Sequence, residues 1–147
     1  MRTLLVLASV VCAAGCAKHP RFDGTWTYQS GSSTRIACAG ASPKGRTLFG
    51  TITITAAGDG AIDATFSDGG CTFRYALLDG RAAIVADQKP AGDCAGQQRL
   101  LASAHDTFSL EGEGLAERAS GTTQFLGMGG APTSCQYTLR GTLRRAP

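Results

Sequence analysis

The 147-residue chain carries 14 Lys and Arg against 11 Asp and Glu, a formal charge of +3, with 43% apolar and 17% charged residues. So even a balance, with the basic residues scattered, leaves no electrostatic footprint for a nucleic acid, and the length admits one domain with a modest core. The 20 glycines and six cysteines are the features of the composition that need an explanation.

Met1, Arg2 and Thr3 make a short positive start, and Leu4 to Val11 form an apolar run of about eight residues, too short to span a bilayer. A basic start, a short apolar stretch and small residues before a cut site describe an export signal. Here the small residues are Ala13, Ala14 and Gly15, and they end at Cys16. The AAGC stretch resembles the lipobox of bacterial lipoproteins. That resemblance implies cleavage before Cys16, a diacylglycerol anchor and a palmitate on that cysteine, and a cell-envelope address. With Ala17 rather than an aspartate next, it implies the outer membrane, on its periplasmic or its surface face. Cleavage after Ala14 or Gly15 without lipid is the alternative and would make the protein secreted. A metal corner of Cys12, Cys16 and His19 is disfavoured, because an export signal is removed and a metal needs a permanent fold.

Lys18, His19, Pro20 and Arg21 continue as a polar tether, so residues 1–15 are read as signal, 16–21 as lipidated N-terminus and tether, and 22–147 as one domain. Cys12 leaves with the signal, and Cys38, Cys71, Cys94 and Cys135 remain for the domain. An even number in a small exported domain indicates two disulfides, while the absence of C-x-x-C spacing argues against zinc.

The domain reads as strands throughout, since turn dipeptides recur and no long segment keeps a helical period. "GTWTYQS" from Gly24 is the first and "TRIAC" the second, followed by a Gly, Ser and Pro-rich loop through Gly45. "TLFGTITITAAG" sets Ile52 and Ile54 against Thr51, Thr53 and Thr55, the two-residue period of a half-buried strand. "GDG" at 58–60 turns the chain into "AIDATFS", with Ile62, Ala64 and Phe66 on one face. "CTFRYALL" puts Cys71, Phe73, Tyr75 and Leu77 together, opposite Thr72 and Arg74, and Asp79-Gly80 is a two-residue hairpin signal leading into "RAAIVAD". After the loop "QKPAGDCAG", the segments "QRLLASA", "TFSLEGEGLAE" and "SCQYTLRGTLRR" read as the last three strands.

About eight short strands without a helix predict an all-β fold, a small antiparallel up-and-down or flattened barrel stapled by two disulfides. "CTFRY" at 71 and "CQYTL" at 135 share a cysteine followed by an aromatic two residues on, a local echo and not a repeat architecture. A hairpin about Asp79-Gly80 places Cys71 across from Gln88, from where the following loop can fold Cys94 back. The pairing expected first is therefore Cys71 with Cys94 and Cys38 with Cys135; Cys71 with Cys135 and Cys38 with Cys94 is the alternative.

Gly24 and Trp26 resemble the G-x-W near the start of lipocalins, avidins and related small barrels. The resemblance implies that Trp26 plugs one barrel end and that a basic residue of the last strand, Arg140 or Arg144, packs over it. Trp26, Phe73, Tyr75, Phe108, Phe125 and Tyr137 are expected in the core, and a barrel of this size is expected to be filled rather than hollow.

Catalytic signals are sparse. His105 stands beside Asp106 and reads as a solvated pair at a turn, no serine sits in G-x-S-x-G, and H-E-x-x-H is absent. Glu111 and Glu113 read as a solvent-facing pair, and "GDG" lacks the other acids of a calcium loop. No catalytic residue, metal or cofactor is expected. The reading is a lipid-anchored, non-catalytic envelope module that offers a small cavity or its loops to an apolar ligand or a protein partner. The alternative is an inhibitor of a secreted lysozyme or protease, inserting the Gly-rich loop 120–134 through Phe125, Leu126 and Met128.

Overall fold

The computed structural model describes residues 21–86, 88, 91, 104–126 and 132–147. The regular elements among them are strands: β1 (Gly24–Tyr28), β2 (Ser33–Cys38), β3 (Lys44–Thr47), β4 (Thr51–Gly58), β5 (Ala61–Phe66), β6 (Cys71–Leu78), β7 (Arg81–Ile84), β8 (Ala104–Glu111), β9 (Gly114–Leu126) and β10 (Pro132–Arg145). They form one antiparallel sheet in which each strand pairs with the next stave of an up-and-down meander.

Ten strands make eight staves because two staves are interrupted. β1 and β2 both pair with β10, while β1 also pairs with β4 and β2 with β3. Residues 29–32 break the first stave, and Ser32 repairs the break: its hydroxyl donates to the Thr142 carbonyl at 3.1 Å and accepts from the Thr142 amide at 3.0 Å. The second stave bends at 48–50, where Leu48 donates to the Ser32 carbonyl at 2.9 Å and Tyr28 to the Gly50 carbonyl at 3.1 Å. Pairing of β1 with β10 closes the sheet into an eight-stranded barrel, which leaves no full-length edge for a foreign strand.

The two-residue period holds along most staves. Ile52 and Ile54, then Ile62, Ala64 and Phe66, then Cys71, Phe73 and Tyr75 are buried on the inner face, with Leu77 packed against them only partly buried. Asp79 and Gly80, both at positive φ (43° and 78°), form the expected hairpin turn.

The expected register holds from Leu78↔Arg81 to Tyr75↔Ile84 and then stops. Cys71 is not carried opposite Gln88; pairing resumes with Thr72 opposite Ala91. The Gln88 side chain fills the gap, accepting from the Arg74 amide at 2.6 Å and donating to the Arg74 and Val85 carbonyls at 2.8 Å each. "TFSLEGEGLAE" is also not one strand: a turn at Gly112 and Glu113 separates β8 from β9, and Gly112 takes a φ of 61°. Most of "QRLLASA" lies outside the described residues.

The loop expected over 120–134 is shorter. Residues 120–126 belong to β9 and 132–134 to β10, with Phe125 paired to Thr133 and Leu126 to Pro132; Met128 lies outside the described residues. Of the two expected disulfides, one is described in full. Cys38 and Cys135, 97 residues apart, face each other directly across β2 and β10 with a Cα–Cα distance of 4.0 Å. Cys71 is disulfide-bonded as well, and Cys94 lies outside the described residues.

One barrel end is closed by Trp26, fully buried, which donates from its indole to the Phe22 carbonyl at 2.8 Å. The cation over its ring is neither Arg140 nor Arg144 but Arg145, whose guanidinium carbon lies 4.5 Å from the ring centroid. Parity decides this. Arg140 and Arg144 share the exposed face of β10 with Thr138 and Thr142, whereas Arg145 shares the parity of inward-facing Leu143 and sits in register with Trp26. Arg145 also donates to the carbonyls of Asp23 at 2.6 Å and Arg21 at 3.2 Å, tying down the segment that enters the barrel. Gly24 is required by that contact, since a Cβ there would lie 2.5 Å from the Arg145 guanidinium and the backbone φ is 130°.

Arg145→Ala removes a cation–π contact and two charge-assisted hydrogen bonds, so it is expected to lower stability by about 1–3 kcal/mol. Arg140→Ala and Arg144→Ala are expected to change it by less than about 0.5 kcal/mol. Urea unfolding followed through the single tryptophan measures all three.

Candidate functional site

The interior holds two fully buried acids, Asp106 on β8 and Glu117 on β9. Both follow from strand parity. Asp106 precedes inward-facing Phe108 by two positions, and Glu117 lies between Leu115 and Ala119, all buried. Asp106 is thus not half of a solvated pair at a turn: it lies within β8, and His105 beside it is exposed on the outer face. Glu117, which motif reading passes over, was legible by the same alternation. Glu111 and Glu113 are exposed at the β8–β9 turn, as expected of a solvent-facing pair.

Each acid is met by a tyrosine. Tyr75 donates to one Asp106 carboxyl oxygen at 2.6 Å, and Tyr28 donates to one Glu117 oxygen at 2.5 Å. The second oxygen of each, Asp106 Oδ1 and Glu117 Oε1, is buried without a hydrogen-bond partner among the described residues. The Tyr28–Glu117 pair fits because Gly141 lies alongside. A Cβ on Gly141 would come within 2.9 Å of the Tyr28 ring and 3.0 Å of the Glu117 carboxyl.

Burial is the chief cause of the electrostatics here, because an ionised carboxyl loses its hydration inside the barrel. It pushes Asp106 up to about 7, against the opposing hydrogen bonds from Tyr75 and the Thr107 backbone. Burial, then the charge of Asp106, pushes Glu117 well above the usual carboxyl range, against the Tyr28 hydrogen bond. Tyr28 and Tyr75 are raised by burial and by the same two acids, so both remain hydrogen-bond donors. Burial thus favours the uncharged form of Glu117, which has one oxygen engaged by Tyr28.

Glu117 and Tyr28 belong to the wall of a cavity of about 240 Å³. The rest of the wall comes from the extension of the barrel: Thr34 and Ile36 of β2, Lys44 to Thr47 of β3, Leu48 and Phe49 at the bend, Phe66 and Asp68, and Tyr137 and Leu139 of β10. Tyr137 and Leu139 lie eight and six residues along β10 from Arg145, so the cavity is at the end away from the Trp26 plug, roughly 20–26 Å along the strand. Ala119, Tyr137 and Leu139 form a second apolar cluster there, with Ile36 and Leu48 packed against it. Lys44 and Arg46 are exposed at the rim, and Phe49 is 61% exposed with the Arg46 guanidinium carbon 5.7 Å from its ring centroid. Among the described residues the barrel is filled around Trp26, Phe73, Tyr75 and Phe108, as expected, and leaves a cavity toward its other end.

His105 is turned away from Asp106, so no shared pocket joins it to the acids. Among the described residues no group of three or more His, Cys, Asp or Glu side chains is placed to hold a metal ion. The arrangement offers an apolar surface of Ile36, Leu48, Phe66 and Leu139 into which the polar side chains of Glu117, Tyr28, Tyr137 and Asp68 are set.

The proton balance of Asp106 makes a pH prediction. In the unfolded chain it ionises near its ordinary value of 3.8, and in the folded chain near 7. Between those limits the folded state keeps a proton that the unfolded state has released, so stability falls as pH rises, by at most about 4 kcal/mol. Glu117, also raised by burial, adds to the decline. Thermal unfolding from about pH 4 to about pH 8 is expected to show a falling Tm, with the slope reduced in Asp106→Asn.

No family model matches the chain, and neither a curated protein nor a solved structure matches it.

Proposed function

We propose that the protein is a non-catalytic binding module of the cell envelope, tethered through a lipid on Cys16, whose barrel mouth takes a compact, largely apolar ligand. The observation that carries this reading is the 240 Å³ cavity, walled among others by Ile36, Leu48, Phe66 and Leu139 at the barrel end away from Trp26. A site of that volume is smaller than the ~300–1,000 Å³ of drug-sized pockets, which favours a small molecule.

The position of the tether supports the reading. The chain enters the barrel at Arg21 to Asp23, beside Arg145 at the plugged end. A lipid on Cys16 would stand five residues away, at most about 18 Å of extended chain. The plugged end would then lie toward the bilayer and the mouth away from it, open to solutes. The second staple belongs to the same proposal, with Cys71 paired to Cys94.

Two measurements check these statements. Toluene titrated into the protein is expected to shift the methyl resonances of Ile36, Leu48 and Leu139 saturably. Leu139→Trp, which fills the cavity, is expected to abolish the response with the fold retained. Mass analysis of the mature, unreduced protein from membranes is expected to find a diacylated N-terminal Cys16 and a peptide joining Cys71 to Cys94; an unmodified N-terminus at Gly15 or Cys16 would make the protein secreted instead.

A further inference from the structure

Of the two acids in the cavity wall, Asp68 is exposed and Glu117 is not. It is fully buried, it stands where the other inward residues of β9 are Leu115 and Ala119, and it holds one oxygen without a partner among the described residues. A buried carboxyl oxygen left unpaired is costly, and such groups in native proteins are normally satisfied. Tyr28 and the bare Cα of Gly141 hold the carboxyl in place. Asp106 carries a second unpartnered oxygen, but it is not part of the cavity wall.

Resting on the binding reading above, we propose that the ligand enters the mouth polar end first. It is a compact aliphatic alcohol or similar amphiphile whose single hydroxyl meets the free oxygen of Glu117, while its alkyl part packs on Ile36, Leu48, Phe66 and Leu139. A hydroxyl both donates and accepts, so it satisfies Glu117 whether the carboxyl carries its proton or not. Among the charged groups of the wall Lys44 and Arg46 outnumber the exposed Asp68, which weighs against a cationic head. The cavity volume of about 240 Å³, below the ~300–1,000 Å³ of drug-sized sites, favours a compact ligand.

The test uses the full domain with 1-heptanol and n-octane, which match in non-hydrogen atoms and differ in the hydroxyl. After correction for transfer from water, the wild type is expected to bind 1-heptanol about tenfold more tightly than octane. Glu117→Leu is expected to bring the two to parity while octane binding persists, and Glu117→Gln and Asp106→Asn are expected to keep the preference. A second measurement needs no variant: the Glu117 carboxyl stretch in the isotope-edited infrared spectrum of the wild type is expected to shift with 1-heptanol and not with octane. Octane and 1-heptanol bound equally well by the wild type, or an unshifted carboxyl band at saturating alcohol, would overturn the polar-end assignment and leave the cavity as an apolar site. Binding of neither probe would overturn both readings.

Discussion

The guanidinium of Arg145 spread over Trp26 is the contact on which the architecture depends, because it joins the third residue of the first strand to the last residue of the last. An up-and-down sheet is built from local hairpins, each closed by a short turn. The seam that β1 and β2 make with β10 joins segments about a hundred residues or more apart. Arg145 reinforces that seam three ways, by ring contact and by hydrogen bonds to the Asp23 and Arg21 carbonyls. The absence of a side chain on Gly24 is what lets the guanidinium reach its place. With the seam made, the sheet has no long free edge to aggregate through, and its inner face becomes a core.

The other end of the barrel solves a different problem. The first two staves break at 29–32 and bend at 48–50, and beyond those points β2 and β3 continue past the packed core. The Ser32 hydroxyl supplies the hydrogen bonds that an unbroken ladder would have made, so the interruption leaves the Thr142 backbone satisfied. The extension encloses space that the large core side chains do not reach. Into that space the chain sends Glu117, whose burial costs stability. A carboxyl placed where an aliphatic residue would pack at less cost is a signature of function more than of folding.

The disulfide between Cys38 and Cys135 acts on this extension and not on the core. It links β2 to β10 two register positions from the Ile36–Tyr137 pair, and both members of that pair are in the cavity wall. The extension rests on a small apolar cluster, so a covalent link across its outer end holds the wall in register where packing is thinnest. Bridges that close long loops restrict the unfolded chain most, and these two cysteines are 97 positions apart.

Local chemistry was legible in the sequence because it depends on near neighbours. Alternation of Ile52 and Ile54 with threonines, the Asp79-Gly80 turn and the facing of Phe73 and Tyr75 all appear in the structure as strand parity requires. The same alternation would have turned Asp106 and Glu117 inward. Acids more often face water, as Glu111 and Glu113 do, but Asp106 and Glu117 are buried where Tyr75 and Tyr28 meet them. The G-x-W stretch announced a plug, but which arginine covers it depended on the pairing of β1 with β10, and one position of register exchanges the two faces of a strand. By itself, then, the sequence determined most of the strands, several of their turns and the barrel class, since these follow from period and turn residues. Only the tertiary structure decided that Arg145 closes the seam, that β2 and β3 raise a mouth above the core, and that Glu117 stands in its wall, because each is a contact between staves distant along the chain.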